Sequence, residues 1–283
     1  MQFRALVDLF LRHHTQHHSA QNTVVFYRTQ LGQLAPHLAK TVDKIGPADI
    51  LLALDRANAG KSPTTQRHRA VAIDQLQKYA LSLEIISRLW LAKVPKPTPS
   101  QRQRIPTDEE TKSLMRLAHA RFRLIYEALR ISGARPNELC RATIDDWQRD
   151  ANGQTGVIVL QQHKTARKSG RPRTIPVGRK LGKLLRLAIG RRTTGPIFLS
   201  PRNHGWTVKN LSTQFARLRT AAGLDRELVL YSARHEAGTN FCREHGILKA
   251  ARLLGHARIE TTQRYVHLNI DELKDAQDSS GGP

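Results

Sequence analysis

A mainly α-helical chain of two domains, the second an α+β domain with a small antiparallel β-sheet, is predicted from three features of the sequence. Apolar residues recur at helical spacing from Phe3 to Val94. A proline-rich basic stretch, VPKPTPSQRQRIP from Val94 to Pro106, then resists helix and sheet alike. Beyond it the helical pattern returns, and only Val157–Gln161 and Arg173–Val177 read as strands. A length of 283 residues suits two ordinary domains with a core each. The expected division is a helical domain over residues 1–94, an exposed linker over 95–106 and a second domain over 107–283.

Each element has its own signal. Phe3, Leu6, Val7, Phe10 and Leu11 share one helix face, and so do Val24, Tyr27, Leu31, Leu34 and Leu38. Further helices are predicted over 47–57 and 63–83, with Ser62 and Thr64 as candidate caps for the second. Thr107 opens a capping box, TDEE, with Glu110 three residues on, and the helix it starts should run to about Ala120. Another helix is expected from Arg121 to Ser132. GARPNELCRATIDDW then reads as a turn into a short helix with Leu139, Ala142 and Ile144 facing inward. The two strands flank the basic stretch HKTARKSGRP and should form a hairpin. From Leu181 to Leu273 helical patterns dominate, broken at GPIFLSPRNHGW and at Gly223 and Gly246.

Charge narrows the function. Forty-six Lys and Arg against twenty-three Asp and Glu leave a net charge of +23, spread along the chain rather than gathered in a tail. A folded protein with so broad a basic surface suits a polyanionic partner, and nucleic acid suits it best, because cations displace the counterions of phosphates. Cys140 and Cys242 form neither a disulfide framework nor a metal-ligand spacing, which suggests a reducing compartment. No run of about 18 apolar residues is present, and MQFRALVDLFLRHH carries charge where a signal peptide keeps its apolar stretch. A cytoplasmic, nucleoid-associated protein without membrane contact is expected.

If the partner is DNA, two chemistries could break its backbone. Hydrolytic nucleases cluster carboxylates around metal ions, but acidic residues here are sparse and sit at helix starts or near the tail. The other route needs a side-chain nucleophile and fixed cations to stabilise the charge on phosphorus, a task that suits Arg. Among five tyrosines, Tyr27, Tyr79 and Tyr126 occupy apolar helix positions and are expected in the core. Only Tyr231 and Tyr265 keep polar company. HHTQHH, His13 to His18, offers the i, i+4 pairs His13–His17 and His14–His18 as metal ligands. No carboxylate or cysteine joins them, so a DNA-facing or solvated helix end is preferred and no metal or other cofactor is expected. Cys140 should pack beside Leu139 as an inert thiol.

GARPNEL around Arg135, QHKT around Lys164, YSARH around Arg234, LLGH ending at His256 and TTQRY ending at Tyr265 together resemble the ordered motifs of the tyrosine recombinases, the phage-integrase-like site-specific enzymes. Weaker likeness extends into the first domain, where SAQNTVVFYRTQL and SPTTQRHRAVAIDQL are similar to the family's core-binding helices. The resemblance implies a DNA core-binding domain followed by a catalytic domain, acting on double-stranded DNA without metal or ATP. It implies that Arg135 and Arg234 hold the non-bridging phosphate oxygens while Tyr265 attacks phosphorus to give a 3′-phosphotyrosine. Lys164 would protonate the departing 5′ oxygen, and His256 would bond the phosphate or the tyrosine. Glu138 would orient the arginines, and His235, the second half of the RH pair, is expected to be structural. A tetramer on two DNA sites would exchange strands through a Holliday junction, with a tail helix over 269–276 contacting a neighbouring protomer. No further N-terminal domain of the arm-binding kind is expected.

One departure from the family pattern matters. The place usually held by His, or sometimes Lys, three residues before the second arginine is Tyr231. A phenol donates a hydrogen bond to phosphate, but with a pKa of about 10 it shuttles protons poorly near neutrality. Two other functions stay open at this point: a type IB-like topoisomerase sharing the phosphate chemistry, and a catalytically silent DNA-binding homologue. The complete Arg, Lys, Arg, His and Tyr set counts against the second. The target sequence and the choice among integration, excision and resolution are not encoded in any feature above.

Overall fold

The computed structural model describes residues 1–17, 19–99, 104–161 and 172–266. The chain divides into two compact units, Met1–Gln101 and Arg102–Pro283. No described helix is long and apolar enough to cross a membrane.

The first unit is helical, as its apolar spacing predicts. α1 (Phe3–Gln16), α2 (Gln21–Leu34), α3 (Pro47–Asn58) and α4 (Pro63–Ser82) surround a core of Phe3, Leu6, Leu31, Leu34, Ile50, Ile73 and Leu76. Proline at the first helical position starts α3 and α4, where its missing N–H costs nothing. Of the two candidate caps for α4, Ser62 is the one used, its Oγ accepting from the Thr65 amide. Tyr27 and Tyr79, expected in the core, are half-buried instead. Their rings lean on Phe10, beside His13 and His14. Trp90 and Val94 complete this core. Arg67 then donates to the Pro97 carbonyl, and Lys96 pairs with buried Asp74, so the proline-rich segment is tied to the unit at its start.

The second unit begins with the capping box: Thr107 accepts from the Glu110 amide, and Glu110 accepts from that of Thr107. The helix it opens, α5 (Asp108–Leu117), stops short of the expected Ala120 because Ala118 turns extended and His119 caps the next helix, accepting from the Arg121 amide. α6 (Ala120–Ser132) buries Phe122, Ile125, Tyr126 and Leu129, and α7 (Pro136–Arg141) follows after a sharp turn. Leu139, Ala142 and Ile144 face inward as expected. The predicted hairpin is present, β2 (Gly156–Leu160) against β3 (Arg173–Val177), with Ile158 opposite Ile175 and Leu160 opposite Arg173. A further strand, β1 (Trp147–Arg149), pairs with the other edge of β2, so the antiparallel order is β1-β2-β3. Three residues are too few to show an alternation in sequence, which is why β1 could not be anticipated.

α8 (Arg179–Ile189), α9 (Val208–Ala221), α10 (Ser232–His245) and α11 (Ile247–Leu254) then build the rest of the unit. The apolar faces of α8, α9 and α10, with Leu185, Phe215 and Ala233, join α6 and the inner face of the sheet in one core, while Ala250 and Leu254 of α11 form a smaller cluster with Cys242 and Tyr265. An ion pair ties α6 to α10: Arg130 grips Glu236 through Nε and Nη2 and reaches Glu127 as well. After α11 the helical pattern gives way to two 3₁₀ turns, Ile259–Thr261 and Gln263–Tyr265. The expected tail helix over 269–276 lies outside the described residues.

Candidate active site

Two left-handed glycines bring distant motifs together. Gly133, at φ +60°, ends α6 and turns the chain so that Arg135 caps α7. Gly255, at φ +65°, ends α11 and releases His256 from the helix. Both turns expose backbone carbonyls, and arginines occupy them. Arg234, on the first turn of α10 and only 1% exposed, donates through Nη1 to the Gly133 carbonyl. Through Nη2 it donates to the Leu254 carbonyl at 2.8 Å and to His256 Nε2 at 3.0 Å. One guanidinium therefore joins the GARPNEL turn, the YSARH helix and the LLGH turn.

Glu138 organises the other side. Its carboxylate accepts from the Arg135 amide at 2.9 Å and from Arg135 Nη1 at 2.8 Å. Buried Arg173 brings its Nε within 3.6 Å of the same carboxylate. Burial would push the Glu138 carboxyl up, but the Arg173 charge and the two bonds from Arg135 outweigh it and hold the group below its ordinary value. Burial, against the favourable pull of Tyr231 and reinforced by the like charge of Arg135, pushes Arg234 below its ordinary value. Two guanidiniums thus share one buried carboxylate while a third, that of Arg234, feels its charge without pairing to it, and an incoming anion would relieve the imbalance. The Nε atoms of Arg173 and Arg234 are buried without a hydrogen-bond partner among the described residues.

The two candidate tyrosines occupy different environments. Tyr265 is 4% exposed, its ring packed with Cys242, Ala250 and Leu254. It lies nearly parallel to the His256 ring at 6.2 Å and tilted on His235 at 5.6 Å. Tyr231 is 37% exposed just before α10, with its ring 6.0 Å from the Arg234 guanidinium and 5.3 Å from His235. His235 therefore stands between the two phenols. A cavity of about 440 Å³ beside this group is walled by Arg135, Phe215, Leu230 and Tyr231.

The structure thus gathers Arg135, Glu138, Tyr231, Arg234, His235, His256 and Tyr265, while Lys164 lies outside the described residues. Sequence reasoning missed Arg173, whose Nη2 donates to the Leu253 carbonyl at 2.7 Å beneath Gly255. The signal was present: along β3 the inward positions are Arg173, Ile175 and Val177, so a charge occupies an apolar phase. Thr262, fully buried against His256, was missed too. Cys140 is buried, and burial pushes its thiol up to about 12. Among the described residues no group of three or more His, Cys, Asp or Glu is placed to hold a metal ion. The His13 and His17 rings lie 4.2 Å apart, tilted against each other, and His18 lies outside the described residues.

Gly238 supplies the room that the Tyr265 ring occupies. A Cβ there would stand 3.1 Å from two ring carbons and 3.2 Å from Leu254. Gly238→Ala should gain about 1 kcal/mol of helix propensity and lose about 2 kcal/mol to overpacking. The expected net is a loss of about 1 kcal/mol in urea denaturation. A variant more stable than the parent would mean that the Tyr265 turn yields freely.

Comparison with known proteins places the chain in a family. Residues 104–272 match the phage integrase family. The tyrosine recombinase XerC of Pelobacter propionicus is 26% identical over 293 residues, covering 94% of this chain and 91% of that protein. The tyrosine recombinase XerD of Mycobacterium tuberculosis is 26% identical over 291 residues, covering 90% of each. Among solved structures, a lambda integrase dimer bound to a COC′ core site aligns with a TM-score of 0.79 at 18% identity, over 94% of this chain and 95% of that one. The Tn1549 transposon integrase in complex with a circular intermediate DNA also reaches 0.79, at 16% identity, over 99% of this chain and 100% of that one. A lambda integrase tetramer bound to a Holliday junction gives 0.76 at 18% identity, over 91% of this chain and 78% of that one.

Proposed function

Because the chain belongs to the phage integrase family of tyrosine recombinases, we propose that it cuts and rejoins DNA at specific sites through a covalent bond between Tyr265 and a 3′ phosphate. The observation that carries this is the direct bonding of Arg234 to the LLGH and GARPNEL turns with Tyr265 seated alongside. The scissile phosphate would sit on the guanidiniums of Arg135 and Arg234, which spread the negative charge that grows on its oxygens. The Tyr265 oxygen bonds to phosphorus, the bond to the 5′ oxygen breaks, and a free 5′ hydroxyl is left. The phenolic proton passes to a base, for which the His235 ring lies beside that of Tyr265, while the His256 ring stacks on Tyr265 and steadies Arg234. Lys164, by family resemblance, returns a proton to the 5′ oxygen.

Rejoining reverses these steps with a 5′ hydroxyl from the same or another strand. The energy of the diester is conserved in the phosphotyrosine, so the cycle calls for neither metal nor ATP. Exchange between two sites needs at least two protomers. The lambda relative bound to a Holliday junction as a tetramer supports that assembly here. Covalent capture on a nicked duplex, which loses its short 5′-hydroxyl strand and cannot be resealed, is the direct test. Two-site recombination on one plasmid, as against relaxation of supercoils alone, separates recombinase from topoisomerase.

The net charge of +23 makes a second prediction. If six to ten phosphates are contacted, DNA affinity should fall by roughly 10³ to 10⁵ between 50 and 200 mM salt. A binding titration that is flat across that range would argue against a broad phosphate-contacting surface.

A further inference from the structure

We propose that Thr262 is a positioning residue that fixes which nitrogen of His256 carries the proton and links that choice to the seating of Tyr265; the inference rests on the recombinase function proposed above. A guanidinium has donors and no acceptor. Arg234 Nη2, 3.0 Å from His256 Nε2, must therefore donate, and Nε2 carries no proton. A neutral imidazole then holds its proton on Nδ1, and the atom facing Nδ1 is Thr262 Oγ1 at 2.8 Å. Thr262 is fully buried, so no water replaces that acceptor without rearrangement.

The same residue builds the turn that presents the nucleophile. Its amide donates to the Ile259 carbonyl at 2.7 Å, and its carbonyl accepts from the Tyr265 amide at 2.9 Å. Side chain and main chain of Thr262 thus act on the two partners of one reaction. With the Ile259–Tyr265 segment seated, His256 is neutral, protonated on Nδ1, and its Nε2 lone pair steadies Arg234. With the segment withdrawn, Nδ1 loses its acceptor and Arg234 loses a fixed neighbour. A subunit whose tyrosine is unseated would then also have a loosened phosphate clamp, which keeps cleavage and seating in step.

Removing the hydroxyl while keeping the shape isolates this role. Among the described residues, the charged and titratable groups near His256 include Arg234 on α10, Tyr265 on its own turn, and Arg173 on β3, which lies against the neighbouring Gly255. Full-length Thr262→Val is expected to bind a nicked duplex within about twofold of the wild type and to form covalent adduct about tenfold more slowly. Its pH–rate profile should shift, and Thr262→Ser should restore both rate and profile. Nitrogen-15 NMR of the histidines in the DNA-free protein should show His256 protonated on Nδ1 in the wild type and in Thr262→Ser, and a tautomer mixture in Thr262→Val. A Thr262→Val protein with wild-type rate, profile and tautomer overturns the inference, as does a loss that serine fails to rescue. If the wild type forms no adduct, the recombinase function falls, while the NMR comparison still decides the part played by Thr262.

Discussion

Tyr265→Phe should abolish covalent capture of a nicked duplex, with a loss on the order of 10⁴-fold or more, because no other group replaces a missing nucleophile. The substitution removes one oxygen from a ring that is otherwise packed among Cys242, Ala250 and Leu254, so the fold and DNA binding should survive it. Tyr231→Phe provides the contrast. Tyr231 is the more exposed phenol and lies over Arg234, where a hydroxyl can aid the phosphate by one hydrogen bond. Its loss should slow adduct formation by roughly tenfold without preventing it. Adduct formed by Tyr265→Phe at the wild-type level, and lost in Tyr231→Phe, would exchange the two assignments. Burial favours the first outcome: a nucleophile held at 4% exposure is shielded from water, which would otherwise compete with DNA strands for an activated phosphate.

The sequence made the helices legible because their signals are local. The apolar face of α1, the Ser62 cap and the Thr107–Glu110 box each lie within a few residues of the structure they dictate. The gathering of the site is different in kind. Arg135 and Arg234 could be picked out by motif, but that Arg234 bonds carbonyls 101 residues before it and 20 after it depends on how α6, α10 and α11 pack. Arg173 left a trace in the strand alternation that went unread. Thr262 lies within the TTQRY motif, but a threonine there gains meaning only when His256 folds back against it. Tyr27 and Tyr79 show the opposite error: helical spacing placed them on the apolar face and could not say that the face ends there.

Glu138→Gln should destabilise the second unit by about 3 kcal/mol, because breaking a buried ion pair strands the charges it leaves behind. Here it would strand Arg135 and Arg173, which pair with that carboxylate, and take a favourable charge away from Arg234. The acid limb of the stability curve should report the same group. The Glu138 carboxyl sits below its ordinary value when folded, so its contribution is full above the unfolded value of about 4.3 and is lost as pH falls through the folded one. Urea midpoints measured from pH 7 down to pH 3 should therefore drop at the acid end in the wild type, with that part of the drop missing in Glu138→Gln. Bound DNA should narrow the gap, since a scissile phosphate supplies the guanidiniums with a second anion; the thermal shift on binding a cognate duplex should then be larger for the variant than for the wild type. Equal shifts would mean that the phosphate sits elsewhere. An unchanged urea midpoint at pH 7 would mean that the arginines do not depend on Glu138 at all.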